Sequence, residues 1–92
     1  MAQNLKWQKV DSSNIEALAY DETTEILSVR FHNGGLYTYD SVDMEVFTSL
    51  VSAPSVGKFL NTVIKPFCQY NKWVSDIEAL NYIHERKEIR HG

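Results

Sequence analysis

At Asp40 the spacing of apolar residues changes period, and this switch limits the fold more than any other feature of the chain. Upstream, apolar and other residues alternate with period two, the mark of strands; downstream they recur every third or fourth position, the mark of helices. Over residues 14–20, Ile15, Ala17 and Ala19 alternate with Glu16, Leu18 and Tyr20, and Asp21-Glu22-Thr23-Thr24 supplies a turn. Over 25–31, Leu27, Val29 and Phe31 take one side and Ile26, Ser28 and Arg30 the other. Asn33-Gly34-Gly35 tolerates the positive φ of a short reversal, so residues 36–39 return antiparallel. Residues 6–10, which include Trp7, read either as a further edge strand or as a packed arm.

Past Asp40 the pattern is helical. Asp40-Ser41-Val42-Asp43 reads as a turn and helix start, followed by the apolar stripe Val46, Phe47, Leu50 and Val51, which Pro54 ends. Ser55 is placed to cap a second helix carrying Val56, Phe59, Leu60, Val63 and Ile64 before Pro66. Ser75-Asp76-Ile77-Glu78 has the form of a capping box, which predicts a third helix from 76 to about 87, with fraying beyond it. The expected fold is α+β, a small antiparallel meander of three or four strands packed against two helices, with an added C-terminal helix.

The chain of 92 residues is long enough for one domain, with a core over about 10–70 and a helical extension over about 75–90. Its formal charge of -3, from nine Lys plus Arg against twelve Asp plus Glu, is a poor match to a polyanion, although a local basic pocket can still hold a small anion. A lone Cys68 rules out an intramolecular disulfide. No basic, apolar leader opens the chain and no apolar run approaches ~18 residues, so the expectation is a cytoplasmic protein that does not span a membrane.

The segment Ala53-Pro54-Ser55-Val56-Gly57-Lys58-Phe59-Leu60-Asn61 is the strongest candidate for chemistry. A helix start offers free amides, Gly57 permits close approach and Lys58 adds a point charge, which together suit a phosphate; the plain alternative is an ordinary serine cap beside a solvated lysine. It is not a P-loop, because Phe59 stands where Ser or Thr would be needed. Tyr37 and Tyr39 share a strand face, where they either stack on a base while Asn61 reads its edge, or enter the core if the helices cover them. Arg30 and His32 can add charge near the end of the preceding strand. The three histidines and Cys68 show no metal-ligand spacing, and no nucleophile or acid–base pair is apparent, so neither a cofactor nor catalysis is expected.

Taken in order, Ser12-Ser13-Asn14-Ile15, Tyr37-Thr38-Tyr39, Ala53-Pro54-Ser55-Val56-Gly57-Lys58 and Asn61 resemble the KTSC domain, a short module at the C-terminus of some lysyl-tRNA synthetases and a stand-alone bacterial or phage protein. The resemblance implies a compact β-then-α fold and a nucleic-acid-like ligand, RNA binding being the usual suggestion for the family. This chain departs from it in being acidic and in carrying a capped helix after Tyr70. The expected function is non-enzymatic capture of a small anionic nucleotide by Tyr37, Tyr39, Ser55, Gly57, Lys58, Asn61 and Arg30. One form of it is a phage-type sponge for cyclic nucleotide immune signals; the alternatives are an RNA-binding accessory module and a structural interaction domain. Trp73, Ile77, Leu80 and Ile83 make a surplus apolar stripe, which is either covered in a homo-oligomer or folded back on the chain's own sheet.

Overall fold

Five antiparallel strands in sequential order form the sheet of the computed structural model, which describes residues 5–91. They are β1 (Gln8–Lys9), β2 (Ile15–Asp21), β3 (Ile26–Phe31), β4 (Leu36–Tyr39) and β5 (Tyr70–Trp73). Helices α1 (Met44–Ser52) and α2 (Val56–Phe59) lie between β4 and β5, and α3 (Asp76–His91) follows β5. The α+β class is as the periodicity predicts, with five strands instead of three or four. Residues 6–10 satisfy both of their readings, since Gln8–Lys9 pairs with β2 while Trp7 packs under Arg30.

Side-chain alternation assigns the helices to opposite faces of the sheet. Leu27, Val29, Tyr37 and Tyr39 project to one side and join Leu50, Val56, Leu60 and Ile64 in the core. Ala17, Ala19, Ser28 and Thr38 line the other, where small side chains leave room for the fully buried Ala79 and for Ile83 of α3. A register shift at Glu16 puts Ile15 in phase with Leu18, so both are fully buried in the core. The strict grouping of Ile15 with Ala17 and Ala19 is thereby corrected.

Local chemistry ends the elements much as their residues suggest. The Asp43 carboxylate caps α1 by accepting from the Val46 amide at 2.9 Å, and the Ser55 hydroxyl caps α2 by accepting from the Lys58 amide at 3.2 Å. Beyond Phe59 the helix widens into a π-turn over Leu60–Ile64, in which the Lys65 amide donates to the Leu60 carbonyl at 2.8 Å. Gly34, at φ +93°, closes the β3–β4 turn in a conformation that favours glycine. Glu78 reaches past Ser75 to accept from the Val74 amide at 2.9 Å, so the capping box is one residue wider than its sequence form. Helix α3 continues to His91, past the predicted end near 87.

The C-terminal stripe is largely used within the chain. Ile83 is buried, and the Trp73 indole N–H donates to the Thr38 hydroxyl at 2.9 Å, because α3 lies across the small-residue face. Ile77 remains 69% exposed. Among the described residues no helix is long and apolar enough to cross a membrane.

Candidate functional site

Two adjoining crevices lie where the strand ends, the β3–β4 turn and α2 meet. The larger, of about 630 Å³, is lined by Phe31, His32, Tyr37, Tyr39, Lys65 and Tyr70, with Asn14, Gly57 and Asn61 at its margin. The smaller, of about 510 Å³, is polar and takes in Asp11, Ser12, Ser55, Lys58 and Thr62. Ser13, Asn14, Gly57 and Asn61 border both, so the two form a continuous groove.

Strand register builds the aromatic part. Tyr37 opposes Lys72 and Tyr39 opposes Tyr70, which puts all four side chains on the helix α1–α2 side of the sheet. The Phe31 and Tyr37 rings meet edge-on with centroids 5.5 Å apart, Tyr70 lies 5.9 Å from Tyr37, and the Lys72 ammonium is 5.8 Å from the Tyr37 ring centre. Tyr70 is 61% exposed and Tyr37 half-buried, so both rings offer surface to a planar guest.

A hydrogen-bonded loop fixes the opposite wall. The Ser12 hydroxyl accepts from the Ile15 amide at 3.2 Å, and the Asn14 carbonyl accepts from the His32 amide at 2.9 Å. His32 Nε2 lies 3.0 Å from the Ser12 carbonyl, which can only accept, so that nitrogen carries the proton. Gly57 faces this loop: a Cβ there would lie 3.6 Å from Ser12 Oγ and 3.9 Å from Asn14 Nδ2, ordinary contacts, so the packing does not require glycine at this position.

The sequence-predicted residues divide between these places. Tyr37, Gly57 and Asn61 meet in the large crevice, whereas Ser55 and Lys58 lie in the polar one, with one helix-start amide already taken by the Ser55 cap. Tyr39 lines the crevice floor but is 1% exposed, so its ring belongs to the core and has no face left for stacking. Burial, followed by the neighbouring Tyr37 and Tyr70 phenols, pushes its hydroxyl up to about 12. Arg30 is removed from the groove altogether. Its strand parity turns it to the other face, where it pairs with Asp76 and stacks on Trp7, whose indole N–H donates to the same carboxylate at 3.0 Å.

Asn14, His32, Lys65 and Tyr70 complete the groove, with Lys72 beside it near the Tyr37 ring, and none is among the residues the sequence predicts to bind a ligand, although His32 is placed to add charge. Asn14 lay within the motif that carries the resemblance, and Lys65 is one turn beyond Asn61 on a helical pattern. Tyr70 and Lys72 had no such signal, because their strand is polar and short. Elsewhere, burial and the nearby Asp40 carboxylate push the Cys68 thiol up, away from the reactive thiolate.

Comparison with known proteins agrees with this architecture. Residues 11–70 match the KTSC domain. A protein of Tsukamurella paurometabola is 48% identical over 59 residues, covering 64% of this chain and 88% of that protein. A lysine–tRNA ligase of Nostoc sp. is 34% identical over 64 residues, which are 70% of this chain and 11% of that enzyme. The crystal structure of a KTSC domain protein from Yersinia pestis aligns with a TM-score of 0.71 at 32% identity, covering 75% of this chain and 97% of that one. The matched segment runs from the loop before β2 to the first residue of β5 and takes in both crevice walls, and on this match the chain belongs to the KTSC domain family.

Proposed function

We propose that the groove captures a small anionic nucleotide without chemical turnover. The observation that carries this reading is the clustering of Phe31, Tyr37 and Tyr70 on one open strip of sheet, with Lys72 of β5 beside the Tyr37 ring and Lys65, at the end of the π-turn, lining the same crevice, since aromatic faces stack bases and ammonium groups hold phosphate. Asn14 and Asn61 stand between the aromatic and polar crevices, where an amide can hydrogen-bond a base edge. Lys58 would engage only a ligand long enough to reach the second crevice, where Asp11 opposes a compact phosphate. Sequestration of a cyclic nucleotide signal in the cytoplasm is the concrete form we favour for a chain of this kind.

A second reading, an RNA-binding accessory module, draws on the similarity to lysine–tRNA ligases. The net charge of -3 weighs against it, because polyanion binding depends on replacing many counterions. Calorimetry against cyclic di- and trinucleotides and short single-stranded RNA separates the two. Saturable binding of a small nucleotide supports capture; binding of RNA alone with a steep salt dependence supports the accessory module; heat from neither leaves a structural interaction domain.

A further inference from the structure

We propose that β5 is a self-pairing edge, through which two copies of the chain join antiparallel into one continuous sheet. The strand order ends at β5, and its outer side has no strand partner among the described residues. Which main-chain groups face outward follows from the ladder. The Asp40 amide donates to the Gln69 carbonyl at 2.9 Å, and the register places Tyr39 opposite Tyr70, Thr38 opposite Asn71 and Tyr37 opposite Lys72. Bonded and unbonded pairs alternate in an antiparallel ladder, so Asn71 bonds inward to β4 while the N–H and C=O of Tyr70 and Lys72 point away from it.

A second copy matches that outward set. In a twofold pairing centred on Asn71, Tyr70 lies opposite the partner's Lys72, and each residue's outward N–H and C=O meet those of the other. Directly opposed residues share a face, so the partner's Lys72 ammonium comes to rest beside the Tyr70 ring. Centring on Lys72 would set two ammonium groups opposite each other and is disfavoured. Centring on Tyr70 would oppose two tyrosines and leave Lys72 across from Cys68, so the ammonium-to-ring contact favours the pairing centred on Asn71. The surrounding surface is apolar in the same place: Phe67 and Val74, 81% and 92% exposed, flank β5, and Ile77 follows on α3. The other sheet edge differs, since β1 has only two residues and both are polar. Pairing would also carry the partner's Lys72 to the rim of each groove, although the interface does not depend on what the groove binds.

Light scattering at micromolar concentration is expected to give twice the 10.6 kDa chain mass. Lys72→Pro deletes an outward N–H but no bond to β4, and is expected to return the mass to that of one chain with unchanged circular dichroism, while Lys72→Ala stays dimeric. Hydrogen exchange gives an independent reading should the proline variant fold poorly: the Tyr70 and Lys72 amides should become protected as the wild-type concentration rises. A wild-type monomer, a folded Lys72→Pro dimer, or exchange at those amides that is fast at every concentration would each overturn the proposal.

Discussion

The two faces of the sheet come from the same strands, yet α3 lies close against one, with a crevice of about 500 Å³ beside it near Tyr20, Ser28 and Ile83, while the other keeps a groove walled by aromatic rings. On the α3 face the strands present Ala17, Ala19, Ser28 and Thr38, small enough for a helix to come close. Directed contacts then lock its rim: Arg30 with Asp76, Trp73 with Thr38, and the Tyr82 hydroxyl donating to Asp40 at 2.7 Å. On the α1–α2 face the same register presents Leu27, Val29, Tyr37 and Tyr39, which pack into the core beneath the helices, Tyr37 only half-buried beside the exposed Tyr70 of the edge strand. Small residues therefore let a helix approach closely here, while large aromatic ones give a core at one end and an accessible surface at the other.

The largest effect expected from this contrast is on folding. Ile83→Ala truncates a buried side chain of α3 beside that face's crevice and should cost about 2–4 kcal/mol in chemical denaturation, while the groove keeps its affinity for nucleotide. Alkaline pH probes the core from the other side. Burial, ahead of nearby carboxylates for Tyr20 and of neighbouring phenols for Tyr39, pushes both hydroxyls from 10.0 up to about 12. The folded chain then holds protons that the unfolded chain releases, so stability is intact below pH 10 and declines as pH rises toward about 12. Thermal melts across that window check the sign; a melting temperature that rises there would contradict the burial of Tyr39.

Binding effects come next in size. Tyr37→Ala should weaken a stacked nucleotide by about 1–3 kcal/mol by calorimetry, and Lys65→Ala by a similar amount if it holds phosphate. Arg30→Ala is expected to do least. Its ion pair is a third to a half exposed, worth at most ~1 kcal/mol of stability, and its removal should leave nucleotide affinity unchanged. A loss of affinity in that variant would mean that the two faces are not separate.

How far the sequence anticipates this division depends on the distance over which each feature is decided. The β3–β4 hairpin, the Asp43 and Ser55 caps and the Val56, Leu60 and Ile64 stripe are set by neighbours a few residues away, and all are legible. The phase of Ile15 is not, because a bulge at Glu16 slips alternation by one residue and only the partner strand shows it. Strand β5 is missed for a related reason: Tyr-Asn-Lys-Trp carries no apolar alternation, and its partner β4 is some thirty positions away by their paired register. Losing β5 hides Tyr70 and Lys72, and with them the outer ring of the aromatic strip and its neighbouring ammonium. Tyr37 and Tyr39 look equivalent two residues apart, but the edge opens beside one and the helices cover the other.

Amide chemical-shift mapping by NMR, with cyclic di- and trinucleotides titrated into the full chain, tests the claim that the open face is the binding face. The account predicts saturable shifts at Phe31, His32, Tyr37, Asn61, Lys65 and Tyr70, with Arg30, Trp73 and Tyr82 unmoved. Shifts centred on the α3 face, or none with any of these nucleotides at millimolar concentration, would contradict it.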